Sequence, residues 1–420
     1  MRRLLSRLTG MGFAAALLVC CATRARASYE EFSTLDIAHE ENDDENLLDH
    51  VLVRPPLDWA EEWRNAKGAF RTSEGCFTAA QWYLDHELKL QVPMGDTTYM
   101  ELGIRDVSDD ESAYGWTQFD LRFPIRHTGL WGLRFRPSFD KSRQDLGLLW
   151  DYGNDRRPLH IQAVMGMEDM FNKFWSLRQV RVGADSEPYT RHPYEPALHI
   201  AWRGAGPHFE ANVTWLTPSR KHFLTIDTTQ RRLEYLWGMK HNASLSQKFG
   251  DYSATVALDM VQASRLSYWD EVAGDHHMFQ RRWLGEGMLQ RRVGEHGSIA
   301  LRYFYQERTH VLRPPISDLA FGVIDRMPMI EGSFRAPLNL GLRVGFLRNR
   351  VTVARYGGQP TWVLPFWTQG TRVETRAFFS IQKQWGRVRL MGTEGIEFDH
   401  EPYPVAFHHD KGFLHVQTTF

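Results

Sequence analysis

Arginine recurs in alternation with apolar residues along much of this chain. Arg105, Arg122, Arg134, Arg136 and Arg203 do so before residue 210, and Arg302, Arg343, Arg376 and Arg389 do so after it. Acidic residues share the same phase: Glu101, Asp120, Glu210, Asp259 and Glu374. A guanidinium keeps its charge at any physiological pH and presents a planar fork of donors that fits carboxylate and phosphate. Such a ladder on one wall of a pore would favour anions. The same arginines, set opposite acids on neighbouring strands, would instead pair and solvate the wall. Both readings stay open at the level of sequence.

Nothing in the chain assigns catalysis. There is no G-x-S-x-G, no P-loop and no H-E-x-x-H, the patterns that place a nucleophile, a phosphate cradle or a zinc site. We therefore expect no enzyme activity, no catalytic residue, no cofactor and no nucleic-acid partner. Two histidine pairs, Asp275-His276-His277 and His408-His409-Asp410, fall in predicted external loops. Together they could take Zn²⁺ or Cu²⁺, but their spacing is not that of a metal site and solvated histidines are the expectation. Of the three cysteines, Cys20 and Cys21 lie in the N-terminal segment, which leaves Cys76 without a disulfide partner.

The elements that must carry these charges are β-strands. Apolar residues alternate with polar ones with period two, which fixes the face each side chain takes. Leu88, Leu90 and Val92 alternate with Glu87, Lys89 and Gln91; Phe119, Leu121 and Phe123 alternate with Gln118, Asp120 and Arg122. The pattern continues through Leu198-Ile200-Trp202, Phe209 to Trp215, Tyr252 to Leu258, Ile299 to Tyr305 and Leu338 to Phe346. Beyond the N-terminus no apolar run is long enough to cross a bilayer as a helix, and mean hydropathy is −0.45 despite 15 Trp. Strands escape that test, because only every second residue need face lipid.

Met1 to Ala27 reads as a signal peptide: Arg2, Arg3 and Arg7, an apolar stretch from Met11 to Cys21, then Ala25-Arg26-Ala27. Lipid modification of Cys21 is the alternative. Ser28 to Gly75 is a separate acidic zone, with 13 acids against Arg54, Arg64, Lys67 and Arg71, a net of −9. We expect it to be partly disordered and periplasmic, with a short helix over Asp58–Lys67. It would be a solvated linker, or else dock on a periplasmic partner or the barrel mouth. Residues 76–420 form the barrel.

The last residues, GFLHVQTTF, alternate Leu414, Val416, Thr418 and Phe420 against His415, Gln417 and Thr419 and stop on an aromatic. With the leader and the strand series, this resembles the C-terminal strand of bacterial outer-membrane β-barrels. The resemblance implies an all-β, up-and-down antiparallel transmembrane barrel, integral to the outer membrane, with lipid as its outer partner. Connections read backward from Phe420 alternate: tight at Gly386-Arg387, Gly294–Gly297, Gly250-Asp251 and Gly204–Pro207, and long at Val351–Gly370, Tyr268–His277, Leu216–Arg232 and Gly166–Glu195. Short turns belong to the periplasmic side. About 17 strands can be counted, and single-chain bacterial barrels have even numbers. We therefore expect 18, with a first strand hidden in Gly68–Ala80, or 16. Trp131, Trp150, Trp202, Trp215 and Trp385 near strand ends suit interfacial girdles. Met167–Trp175 could fold inward as a constriction or cap the outside.

A barrel this wide leaves a water channel. The arginine-lined interior behind an acidic segment is similar to the alginate-export barrels, which implies a small anionic solute or an anionic polysaccharide as cargo. An outer-membrane enzyme acting on lipid or polysaccharide, or a plugged barrel serving a partner protein, is the alternative.

Overall fold

The computed structural model describes the strands and several turns between Gly68 and Phe420, preceded by Trp63, Ala66 and Lys67. Residues 1–62 and 64–65 and most of the longer connections are outside the described residues. The leader, most of the Asp58–Lys67 segment and residues 168–175 are among them.

Nineteen strands follow in chain order. The first seven are β1 Gly68–Thr78, β2 Gln81–Pro93, β3 Tyr99–Asp109, β4 Ala113–Ile125, β5 Gly129–Pro137, β6 Gln144–Tyr152 and β7 Leu159–Met167. Next come β8 Tyr189–Arg191, β9 Tyr194–Arg203, β10 His208–Leu224, β11 Arg231–Phe249, β12 Tyr252–Trp269 and β13 Val272–Val293. The last are β14 Gly297–Leu312, β15 Leu319–Ala336, β16 Leu340–Arg355, β17 Gly370–Trp385, β18 Val388–Glu397 and β19 His408–Thr419. Each pairs antiparallel with the next, except that β7 pairs with β9 while the three-residue β8 pairs only with β10. β1 pairs with both β2 and β19, so the sheet closes. The result is an all-β up-and-down barrel of 18 wall strands. The strand that makes the number even is β1, inside Gly68–Ala80, so the barrel starts at Gly68 rather than Cys76.

Several expected loops are strand. Tyr268–His277 lies almost wholly in β12 and β13, with Tyr268 opposite Asp275, Ser267 opposite His276 and Leu266 opposite His277. His408-His409-Asp410 begins β19. Leu216–Leu224 extends β10. The reason is length: about 9–11 tilted residues cross a bilayer, whereas β10 has 17 residues, β11 19 and β13 22. The extra turns of wall stand outside the apolar layer, where a strand need not alternate.

Closure places the first and last strands in register from Ala69–Thr419 to Cys76–Gly412. Facing inward across this joint, Ser73 Oγ and His415 Nδ1 lie 2.6 Å apart, both buried. Beside them Arg71 pairs with Glu87 and stacks over Trp63, its guanidinium carbon 4.7 Å from the ring centre. Where the inner wall is crowded, glycine makes room for a ring. A Cβ on Gly75 would come within 2.3 Å of Phe413, and one on Gly345 within 2.2 Å of Phe378; the aromatic of one strand covers the glycine of its neighbour. We expect His415→Ala to cost about 1–3 kcal/mol, because it leaves the Ser73 hydroxyl buried without its partner. The check is a lowered urea midpoint of the folded band on unboiled gels. Ser73→Ala in the same background should then add little.

Candidate functional site

The inner wall is built by strand parity. Pairing puts Glu101 opposite Asp120, Asp120 opposite Arg134, Ala201 opposite Glu210, and Asn242 opposite Asp259, all on the inward face. Arg302, Arg343, Arg376 and Arg389 are inward on β14, β16, β17 and β18 by the same alternation. All the charged residues named from the sequence thus share the lumen. What the sequence could not give is their partners.

The first cluster spans β2 to β9. Asp120, 1% exposed, accepts two hydrogen bonds from Arg134, from Nε at 2.9 Å and Nη2 at 2.8 Å. It accepts a third from Arg122 at 3.3 Å. Arg122 also donates to Asp151 at 2.9 Å and lies 3.6 Å from Glu101. Asp151 Oδ1 is 2.8 Å from His160 Nε2. Arg136 donates to Gln118 at 2.9 Å and lies 3.5 Å from Glu195. Arg105 holds Asp85 through two contacts of 3.2 Å.

The second cluster lies on β12 to β18. β15 is nine wall strands from β5 in the ring of 18, and so on the opposite side. Arg343 clasps Glu331 with Nε and Nη2, both at 2.8 Å, and Arg302 stands 3.6 Å from Glu331 and 3.7 Å from Glu286. Farther from the tight turns, Arg308 lies 3.5 Å from Asp325, to which Asn349 donates at 3.1 Å. Arg376 contacts Glu374 at 3.7 Å and Glu397 at 3.4 Å, and Arg282 contacts Asp259 at 3.4 Å. Between these rungs on β14 to β16 sits an apolar patch of Phe304, Met327, Met329 and Leu347, continued by Leu284, Phe378 and Phe413. Phe304 is 1% exposed and Met327 0%. Arg343 lies over Phe378 at 4.9 Å.

Arg203, Glu210 and Arg389 also face inward and are engaged. Asp151, Glu195, Glu286, Arg308, Asp325 and Glu331 are wall residues that the sequence reading passed over. β6, β13 and β15 carry apolar or charged residues in both phases. Among the described residues no group of three or more His, Cys, Asp or Glu could hold a metal ion.

The outer face completes the picture. Leu198, Trp202, Val213, Trp215, Leu245, Val256, Leu301, Val344, Phe379 and Leu414 alternate with the lumen residues and are exposed. No water-soluble barrel would turn its apolar face outward and its charges inward; a bilayer demands that arrangement. The chain is an integral barrel of the bacterial outer-membrane type. Its tight turns, at Gly204–Pro207, Gly250-Asp251, 294–296, Pro337–Asn339 and Gly386-Arg387, therefore mark the periplasmic end.

No protein-family model and no curated protein matches the sequence of this outer-membrane barrel. Solved structures do resemble it. A loop L8 deletion variant of OmpT, an outer membrane protein of Vibrio cholerae, aligns at 8% identity and TM-score 0.41 over 84% of this chain and 97% of its own. Wzi, a carbohydrate-binding β-barrel involved in group 1 capsule assembly in Escherichia coli, aligns at 7% and 0.40 over 87% of each. OccK11 of Pseudomonas aeruginosa aligns at 11% and 0.36 over 84% of this chain and 94% of its own. At such values the likeness is one of general barrel shape, and the fold stands on the strand order itself.

Proposed function

We propose that this barrel is an outer-membrane channel for small hydrophilic solutes, with a preference for anionic solutes or an anionic polysaccharide, and that it carries out no chemistry on them. The observation behind this reading is the lumen: two clusters of arginine and carboxylate on opposite walls. Carbonyls, ammonium groups or charged side chains arranged in this way set selectivity in pores. The ion pairs make the preference moderate. A guanidinium held by one carboxylate still has donors left for a passing anion, but its field is partly cancelled. Arg136 is among the more accessible of the first cluster's arginines next to a carboxylate, with its side chain 25% exposed beside Glu195, as Arg105 is at 29% beside Asp85.

A second reading rests on the apolar patch around Phe304 and Met327. A wall so fully covered suits a narrowed or plugged barrel that serves a partner protein.

Planar-bilayer recording of the refolded protein under a KCl gradient tests both. Stable steps with a reversal potential toward that of Cl⁻ are expected, and Arg136→Glu should move the reversal potential toward that of K⁺. Steps whose selectivity is untouched by Arg136→Glu would remove the arginine assignment. Silence from a folded, heat-modifiable barrel would favour the plugged reading.

A further inference from the structure

The deep arginines and the rim cations differ in one respect. Within the wall, Arg105, Arg122, Arg134, Arg302, Arg343 and Arg376 each face a carboxylate. At the periplasmic end, Lys248 closes β11, Arg292 closes β13, Arg335 lies near the end of β15 and Arg387 sits in the turn after β17. All four are exposed. Arg292 donates to the carbonyls of Gly294 and Glu295 at 3.2 and 3.5 Å. None of the four contacts a carboxylate among the described residues, although Asp251 and Glu295 are in the turns nearby. Lys248, Arg292 and Arg335 have the parity of the lumen residues. Together the four form an arc along about half of the mouth, from β11 to β18.

The chain enters the barrel beside this arc. β1 is the neighbour of β19. Trp63, 7% exposed, lies under the Arg71 guanidinium on the lumen side of β1, and the Lys67 carbonyl accepts from Gln91 N–H at 2.6 Å. Trp63 is therefore held inside the mouth. Residues 28–62 contain twelve acids against Arg54 alone, a net of −11. Thirty-five residues can reach about 115 Å when extended, far more than the arc requires.

We propose that residues 28–62 dock as a polyanion on the Lys248–Arg292–Arg335–Arg387 arc, so that the chain itself supplies carboxylates to four cations that contact none among the described residues. The occupant is this segment, tethered at Trp63, rather than a second protein. Tethering raises its local concentration at the arc into the millimolar range, above what a free acidic partner would reach. The inference does not depend on the barrel being an open channel.

Zero-length carbodiimide coupling of the full chain in detergent is the test, because it joins only a carboxylate and an amine already in contact. At 10 mM salt we expect a peptide from residues 28–62 coupled to Lys248. Arg292→Lys and Arg335→Lys should each add a new coupled site while keeping the charge. The yield should collapse at 1 M salt, as the screening length falls from about 30 to about 3 Å. Arg292→Glu with Arg335→Glu should remove most of the Lys248 product. Mixing isotope-labelled and unlabelled chains identifies coupling between molecules. No coupling to Lys248, coupling only between chains, or coupling that persists at 1 M salt would overturn the proposal. Because none of these readouts is a conductance, they leave the channel reading to stand or fall separately.

Discussion

Asp120→Asn should lower the stability of the barrel by about 3–5 kcal/mol, the cost of removing one partner from a buried ion pair. Asp120 is the hub of the first lumen cluster. It is fully covered, and among the described residues it is the carboxylate that Arg134 holds, at 2.9 and 2.8 Å. The neutral amide cannot accept a guanidinium fork on both atoms, so Arg134 is left charged and half-buried while Arg122 falls back on Asp151 and Glu101. The measurement is urea unfolding in lipid vesicles, followed by tryptophan fluorescence and by the folded band on unboiled gels. The midpoint should fall with the slope unchanged, which assigns the loss to the native state. Asp120→Leu combined with Arg134→Leu should cost less than Asp120→Asn alone, since it strands no charge. A loss below about 1 kcal/mol for Asp120→Asn would mean that water, and not Asp120, balances these arginines.

The second large effect concerns the opposite face. Val256 is 62% exposed on the outside of β12, four residues above Tyr252 at the tight-turn end. A tilted strand climbs about 10 Å over that distance, which places Val256 near the middle of an apolar band about 25 Å tall. Val256→Arg should therefore cost about 2–4 kcal/mol in vesicles. Ala257→Arg, one residue on, enters the lumen opposite Glu286 and should be tolerated far better. A one-residue step exchanges the two faces, so equal penalties at 256 and 257 would overturn the assignment of inside and outside.

How much of this was legible in the sequence follows from what a bilayer enforces. Within the apolar layer the alternation must hold, and there the sequence gives the face of each residue: Trp131, Trp202, Trp215 and Trp385 are all exposed outward, and the nine arginines all point in. Above the layer nothing enforces it, which is why the upper reaches of β12 and β13 look like a loop containing Asp275-His276-His277. β1 escapes notice because its outward positions are Gly68, Phe70, Thr72 and Glu74, of which only Phe70 is large and apolar. Tyr303-Phe304-Tyr305 is apolar in both phases, so the inner patch is invisible without the register. The ion pairs are the least legible of all. A one-residue slip between β4 and β5 would take Asp120 away from Arg134, and only the pairing of whole strands fixes that choice.

The joint between β1 and β19 bears on how the protein is made. Ser73 and His415 meet although they are 342 positions apart in the chain, and every other wall contact joins strands that are near neighbours in sequence. Hairpins can therefore form one after another, but the ring cannot shut before β19 is in place. Bringing such distant ends together costs entropy that rises only slowly with length, yet contacts of this range set the slow end of folding rates. Until that step the sheet has two open edges, each able to recruit a foreign strand. A chain that lost β19 would keep both edges for good. Closure thus waits for β19, and the interval before it is when a holding chaperone has the most to protect.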